Sequence, residues 1–364
     1  MKRLSRRSFL QKSAASLAVA GLVGCGGRDQ LDQVTSASQL RVLNWPDYIN
    51  PDLFADSVPV RNVDYSDTWL DNYTGAEQFG PQWDIVTPTN WLAAQLIEAG
   101  QVQRLPIELI PNHKNIDPVF LTNEWDRGAR FHMPWQAGIT GIAYDPALTG
   151  RELTSVGDLF DPEFAGRVAM IGEMREAVGL AMLARGADPG RPTKTDAEAA
   201  LQDLIAANES GQFYKDWVFD DFAALLSSGE VVASMAWSGD AVQLQQERPD
   251  LKFVIPDEGG VQWFDTMVIP TGAQNAQGAA RWMEYFYDPE IAASNTEWVQ
   301  YISPVLGVQE VLRGRGGVAA ELASNPILFP DDETKRRLFI WGGLESTADE
   351  QDLDDRFAIM AGLA

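Results

Sequence analysis

The chain has 364 residues, of which 45% are hydrophobic, and this is enough for two domains with separate cores. Its 28 basic and 52 acidic residues give a formal net charge of -24, which argues against nucleic acid as a partner because phosphate binding needs clustered lysine and arginine. The charge is compatible with a cationic ligand, although a solvated acidic surface that aids solubility explains most such charges in proteins.

The first 24 residues have the features of an export signal. The pair Arg6-Arg7 is followed by Ser8-Phe9-Leu10 and by a short apolar run that ends just before Cys25, the only cysteine in the chain. This run is shorter than the roughly 20 apolar residues of a membrane span. Residues 1–24 are therefore predicted to be a twin-arginine lipoprotein signal peptide, with lipidation at Cys25 and a flexible tether over 25–37. A free thiol after an ordinary signal peptide is the alternative.

The remaining chain alternates short apolar strands with helices, which predicts an α/β fold. Strands are predicted at 40–45, 58–63, 83–87, 139–144, 168–171, 231–237 and 264–269. Helices are predicted from Thr89 to a glycine cap at Gly100, over 176–185, after a capping box at 195–198, over 240–247 and 277–287, and through most of the tail from 331. A long connection is expected between 106 and 130.

Three strand ends carry an aromatic residue beside an acid. These groups are Trp45, Asp47 and Tyr48 after the first strand, Trp237 and Asp240 after the strand at 231–237, and Trp263 and Asp265 at the start of the strand at 264–269. An aromatic face attracts an ammonium group, and a carboxylate accepts its charge-assisted hydrogen bonds. Ligands of open α/β sheets bind at strand ends. The pattern therefore predicts a cleft for a linear diamine or triamine. Core packing of each tryptophan and helix capping by Asp240 are the alternatives.

Five motifs in order resemble the periplasmic spermidine/putrescine-binding proteins of polyamine ABC transporters, within the extracellular solute-binding protein family. They are the segments 43–51, 84–89, 133–144, 235–240 and 264–265, and the resemblance extends from about residue 40 to the C-terminus. It implies a type II-like clamshell of two lobes, each a mixed sheet flanked by helices. Lobe one would comprise 38–141 plus 265–305, and lobe two 142–264 plus 306–364. A monomer without cofactor or metal would deliver the polyamine to a permease.

The resemblance also implies a set of ligand-binding residues in the cleft between the lobes. They are Trp45, Asp47, Tyr48, Thr89, Trp91, Glu173, Glu176, Trp237, Asp240, Trp263, Asp265 and Tyr301. Glu173 departs from the pattern, because spermidine binders have the shorter aspartate at this position. The site mixes features of putrescine and spermidine binders, and the length of the amine is left open.

Two other classes of function remain as alternatives. The first is a secreted hydrolase that uses a carboxylate pair. Only two histidines occur, His113 and His132, and neither has metal-ligand spacing, while a Gly-x-Ser-x-Gly motif is absent from the sequence. The second is a clamshell binder of another cationic or amino-bearing solute or of a sugar. A sugar site would need fewer acids, because buried carboxylates are costly without a cation.

Overall fold

The computed structural model describes residues 39–53, 63–67, 82–219 and 221–363. The predicted export signal and the whole predicted tether, Cys25 included, lie outside these residues, as does most of the strand predicted at 58–63. The described strands are Leu40–Asn44 (β1), Val63–Asp67 (β2), Ile85–Val86 (β3), His132–Tyr144 (β4), Val168–Ala169 (β5), Ala233–Trp237 (β6), Lys252–Val254 (β7), Gly260–Val268 (β8) and Leu338–Phe339 (β9).

Helices cover both sides of the strands. They are Asn90–Glu98 (α1), Pro146–Thr149 (α2), Met174–Ala184 (α3), Lys194–Glu209 (α4), Phe222–Ser228 (α5), Ser238–Glu247 (α6), Ala276–Phe286 (α7), Pro289–Val299 (α8), Val308–Arg315 (α9), Gly317–Leu322 (α10), Asp332–Lys335 (α11) and Thr347–Ala361 (α12). Short 3-10 helices occupy much of the long connection expected between β3 and β4. Among the described residues, no helix is long and apolar enough to cross a membrane.

One mixed sheet connects the described strands, in the order β2-β1-β3-β8-β4-β6-β5, with β7 on β4 and β9 on β8. The flanks pair in parallel, β1 with β2 and β3, and β5 with β6. The centre is antiparallel, because β8 runs against both β3 and β4. The predicted α/β class with mixed sheets is thereby confirmed.

The two central strands β4 and β8 each belong to two hydrophobic cores. The first core contains Ile139 of β4 and Phe264 of β8, whereas the second contains Ile142 of β4 and Val261 of β8. Within the first core, Ala137 and Ile302 also exchange two backbone hydrogen bonds of 2.9 Å. Each strand therefore passes from one core to the other, which is the arrangement of a two-lobe protein.

The division of the chain between the lobes is less simple than the sequence suggests. Val308, Leu312, Ala319 and Ala323 pack in the first core, although the sequence analysis assigns 306–364 to lobe two. Phe357 and Leu353 of α12 pack in the second core. The lobe boundaries stay a prediction.

Strand β4 begins seven residues earlier than predicted. Pro134 cannot donate a backbone hydrogen bond, and Gly138 has weak strand propensity, so the sequence pattern is broken there. In the structure the pairing with β8 changes register between Pro134 and Ala137. A Cβ at Gly138 would overlap the indole ring of Trp263, so glycine allows that ring to lie flat against β4. Long-range pairing thus overrides the local pattern.

Three local predictions are wrong. The N-cap of α4 is Thr193, whose hydroxyl accepts a 3.1 Å hydrogen bond from the Asp196 N–H, rather than Thr195. Helix α6 begins at Ser238 with Trp237 as N-cap, so Asp240 lies inside the first turn and does not cap the helix. The segment from Trp263 to Asp265 lies in the middle of β8, because the strand begins at Gly260. It is at the crossing between the cores and not at a strand start.

Candidate functional site

The candidate site lies where β4 and β8 pass between the cores and where three helices begin. Thr89 is the N-cap of α1, Glu173 is the N-cap of α3, and Asp240 lies in the first turn of α6. Trp237 immediately precedes α6 and packs against both cores. Helix N-termini favour negative charge, so these starts are suitable positions for carboxylates.

Asp265 is the central acid of β8 and is 3% exposed. It forms a β-bridge with Thr89, whose Oγ1 donates a 2.9 Å hydrogen bond to Asp265 Oδ1. Burial raises the pKa of Asp265 to about 7, while Tyr48, Thr89 and Trp45 oppose the rise. The indole N–H of Trp45 and the hydroxyl of Tyr48 are buried and close to this carboxylate, so their polar hydrogens favour its charged form.

Glu176, in the first turn of α3, is the second buried acid. Its Oε2 accepts hydrogen bonds from the Thr140 hydroxyl and, at 2.7 Å, from Trp237 Nε1. Thr140 Oγ1 in turn accepts a 3.2 Å hydrogen bond from Trp263 Nε1. Burial and then the negative charge of Glu173 raise the pKa of Glu176 to about 8. Within the described residues, neither Glu176 nor Asp265 forms an ion pair with lysine or arginine.

Tyr301 connects a third acid to the aromatic side chains. Its hydroxyl donates a 2.6 Å hydrogen bond to Asp240 Oδ2, and its ring meets Tyr48 edge-on with centroids 5.2 Å apart. Burial, followed by the charge of Asp265, raises the pKa of Tyr48 well above its usual value. A Cβ at Gly239 would overlap the Tyr301 ring, so only glycine permits this approach.

The aromatic rings form a continuous wall. Tyr48 contacts Tyr301, Tyr301 lies 5.6 Å from Trp263, and Trp263 lies 6.4 Å from Trp237, all measured between ring centroids. These faces and edges surround the buried carboxylates Asp265 and Glu176. The wall can cover alkyl groups while the acids bind positive charge.

Two more of the predicted residues line a small neighbouring pocket that is partly open to solvent. Trp91 and Glu173 line it together with Glu176 and Trp263. Arg175 also lines this pocket, with its guanidinium carbon 3.6 Å from the Trp91 ring centroid and Nη1 3.4 Å from Glu173 Oε1.

Asp47 occupies the turn after β1. It is half-buried, has a φ of +51° and directly precedes Tyr48. Aspartate is one of the few residues besides glycine that adopt this left-handed conformation with some frequency. Eleven of the twelve candidate residues therefore lie in the aromatic and acidic cluster or line its adjoining pocket. Asp47 lies at the edge of the cluster, next to Tyr48 in sequence. Contact of these residues with a ligand stays a prediction.

The sequence analysis missed four residues of the site. Thr140 joins Trp263 to Glu176, Gly138 and Gly239 leave room for the aromatic rings, and Arg175 lines the adjoining pocket. Arg175 lies between two candidate acids in the sequence, and this position was a signal that could have been used. Within the described chain, no group of three or more His, Cys, Asp or Glu side chains is arranged to hold a metal ion.

Comparisons with known proteins place this site in context. Residues 57–330 match the family described as bacterial extracellular solute-binding protein. The spermidine/putrescine-binding periplasmic protein 1 of Haemophilus influenzae is 25% identical over 338 residues, covering 89% of this chain and 91% of the relative. The spermidine/putrescine-binding periplasmic protein of Escherichia coli is 27% identical over 299 residues, covering 80% and 83%. A spermidine/putrescine ABC transporter substrate-binding protein from Streptococcus pneumoniae matches in structure with a TM-score of 0.74 at 26% identity, covering 89% of this chain and all of the other.

Proposed function

Because this chain belongs to the bacterial extracellular solute-binding protein family, we propose that it binds a polyamine between its lobes and delivers it to the permease of an ABC importer. The relatives named above, which carry spermidine and putrescine in their names, support this ligand class. The protein then acts outside the cytoplasmic membrane, on the periplasmic or cell-surface side. Its relatives are solute-binding proteins, and binding rather than catalysis is the proposed activity.

The observation that carries the proposal is the pair of buried acids Asp265 and Glu176. Burial raises the pKa of both side chains, to about 7 and about 8, because the charged form of each is poorly solvated. A bound ammonium group near each carboxylate would favour the charged form and donate hydrogen bonds to the carboxylate oxygens. The aromatic wall of Tyr48, Tyr301 and Trp263 would cover the methylene groups between the ammonium groups.

A neutral sugar is the alternative ligand that shares the most chemistry with this site. Indole and phenol rings also stack on sugars, and carboxylates accept hydrogen bonds from sugar hydroxyl groups. A sugar brings no positive charge, however, so it would leave Asp265 and Glu176 buried without a counter-ion. Because Asp265 and Glu176 have no lysine or arginine partner in the part of the chain that the structure describes, the site favours an amine over a sugar.

The export route, the lipid anchor and the monomeric state are further parts of the proposal. Arg6-Arg7, the short apolar run and Cys25 support twin-arginine export followed by acylation. We expect Cys25→Ala to move the protein from the membrane fraction to the soluble fraction after export. Retention of the Cys25→Ala protein in the membrane fraction would contradict the anchor. Ultracentrifugation of the same variant would measure its oligomeric state.

Isothermal titration calorimetry tests the ligand. The mature protein carrying Cys25→Ala would be titrated with putrescine, spermidine and spermine, and with a neutral disaccharide as a matched control. Saturable one-site binding of an amine and no heat from the disaccharide are expected. Binding of the disaccharide alone, or of none of the amines, would refute the proposal.

The candidate acids are tested in the same assay. Asp265→Asn is expected to weaken amine binding at least tenfold, because loss of one partner of a desolvated charge pair costs about 2–5 kcal/mol. Asp352→Asn is the matched control, since Asp352 is exposed on α12 and pairs with Arg356. An equal effect of the two substitutions would mean that overall charge, and not the site, controls affinity.

A further inference from the structure

Thr140 lies where four elements of the site meet. It is fully buried on β4, where it pairs with Trp237 of β6 on one side and with Val261 of β8 on the other. Its hydroxyl group contacts Glu176 in the first turn of α3, and Trp263 of β8 donates a 3.2 Å hydrogen bond to the same hydroxyl oxygen. One buried hydroxyl group therefore connects an indole ring of the aromatic wall to a buried acid.

The direction of these hydrogen bonds follows from the chemistry of the donors. An indole N–H donates and cannot accept, so Thr140 Oγ1 accepts the bond from Trp263 Nε1. A hydroxyl group has one proton, and Thr140 must therefore donate it to Glu176 Oε2. Trp237 Nε1 donates to the same carboxylate oxygen at 2.7 Å. Glu176 Oε2 thus accepts two hydrogen bonds whether the carboxyl group is ionised or neutral.

The other oxygen, Glu176 Oε1, is left for a proton or for the ligand. It makes no hydrogen bond with any residue that the structure describes, and Glu176 lines the pocket beside the aromatic wall. Burial, the negative charge of Glu173 and then that of Asp265 raise the pKa of Glu176, so that its neutral form predominates at pH 7. Arg175 lines the same pocket but forms its ion pairs with other acids. In the neutral form the proton must lie on Oε1, because Oε2 is held as an acceptor.

We propose that Thr140 is a positioning residue that holds Glu176 Oε2 as an acceptor, so that a proton and a ligand ammonium group compete for Oε1 alone. This inference rests on the proposed function and adds to it the atom at which the ligand and the proton exchange. On binding, the neutral carboxyl group loses its proton to the solvent. The carboxylate formed accepts a hydrogen bond at Oε1 from the ammonium group, which keeps its own protons.

Calorimetry at pH 7, 8 and 9 tests Thr140, with whichever of putrescine, spermidine and spermine the mature protein binds most tightly. The substitution Thr140→Val keeps the shape of the side chain and removes its hydroxyl group. At pH 7 it should weaken binding at least tenfold relative to wild type, because Glu176 loses a hydrogen bond that favours its charged form. The loss should shrink at least threefold by pH 9, where the proton competes less. At pH 9 the variant should also release more protons on binding than wild type does.

Three further variants identify the origin of the effect. Thr140→Ser keeps the hydroxyl group and should restore the wild-type pH dependence of binding. Thr149→Val is the matched control and should bind within threefold of wild type, because it removes a buried hydroxyl group that donates to the backbone oxygen of Arg151 at 2.7 Å. In a Glu176→Gln background, Thr140→Val should cost less than threefold at every pH, since no proton is exchanged at that position.

The outcomes separate the inference from the proposed function. Thr140→Ala takes the place of Thr140→Val, with the same expected results, if circular dichroism shows that the valine substitution unfolds the protein. If the wild-type protein binds no amine, the proposed function fails and the inference fails with it. If wild type binds an amine but removal of the hydroxyl group costs less than threefold, or costs the same at every pH, the inference is wrong and the polyamine function stands.

Discussion

Asp265 is expected to lower the stability of the ligand-free protein and to strengthen amine binding. The substitution Asp265→Asn should therefore raise stability while it weakens binding. The pKa of Asp265 is higher in the folded protein than the usual 3.8, at about 7. Between these two values the folded state holds more protons than the unfolded state, so the free energy of unfolding decreases as the pH rises. The destabilisation is absent below the unfolded pKa and complete above the folded one.

The magnitude follows from the same pKa values. Because one pKa unit is equivalent to about 1.4 kcal/mol, the rise from 3.8 to about 7 corresponds to about 4 kcal/mol once the carboxyl is fully ionised. The linkage relation places about 2 kcal/mol of this loss between pH 5 and pH 7. The loss of about 4 kcal/mol is an upper value for the free energy of unfolding, because any water that reaches Asp265 stabilises its charged form.

Urea denaturation of the ligand-free protein at pH 5, 7 and 8 is the assay. Asp265→Asn is expected to be more stable than wild type at pH 8 by about 2–4 kcal/mol, since the amide needs no counter-ion in a buried position. The advantage should shrink toward pH 4. The control Asp352→Asn should follow the wild-type pH dependence. An Asp265→Asn protein that is less stable than wild type at pH 8 would refute the reasoning, because the carboxylate would then be stabilising without a ligand.

Two further predictions concern proton release on binding and the packing of Gly239. Amine binding at pH 7 should release protons from Glu176 and Asp265, because binding favours their charged forms. The calorimetric enthalpy should therefore depend on the ionisation enthalpy of the buffer, and Glu176→Gln should reduce this dependence. A wild-type enthalpy that is the same in all buffers would contradict the raised pKa values. Gly239→Ala should destabilise the fold by about 1–3 kcal/mol because its Cβ overlaps the Tyr301 ring, whereas Gly314→Ala, which meets no atom within 4 Å, should be neutral or stabilising in thermal unfolding. Equal effects of the two glycine substitutions would mean that the contact with Tyr301 does not matter.

Local sequence patterns predicted the elements whose bounds depend only on residues nearby in the chain. The first strand ends one residue before the predicted end, and α1 begins directly after Thr89 and stops before Gly100, whose φ of +68° suits glycine. The mixed α/β class also followed from the alternation of strands and helices. These features depend on hydrophobic periodicity and caps within a few residues.

The parts that the sequence did not predict depend on distant partners. The early half of β4 is a strand because β8 pairs with it across Pro134 and Gly138. The position of the Arg175 side chain depends on its hydrogen bond to Glu350, which is 175 positions away in the chain. No local pattern reports such a pairing. The aromatic and acidic residues were recognisable as a group, but the order in which they contact one another required the fold.

The passage of β4 and β8 through both cores has a consequence for changing the ligand. Trp263, Asp265 and Thr140 lie on these two strands, so their substitution alters the connection between the lobes together with the chemistry of the cleft. Glu176 lies on the first turn of α3, whose apolar side chains pack in the second core alone. A new specificity is therefore more readily obtained at Glu176, because its replacement leaves both connecting strands unchanged and gives selection two separable properties to act upon.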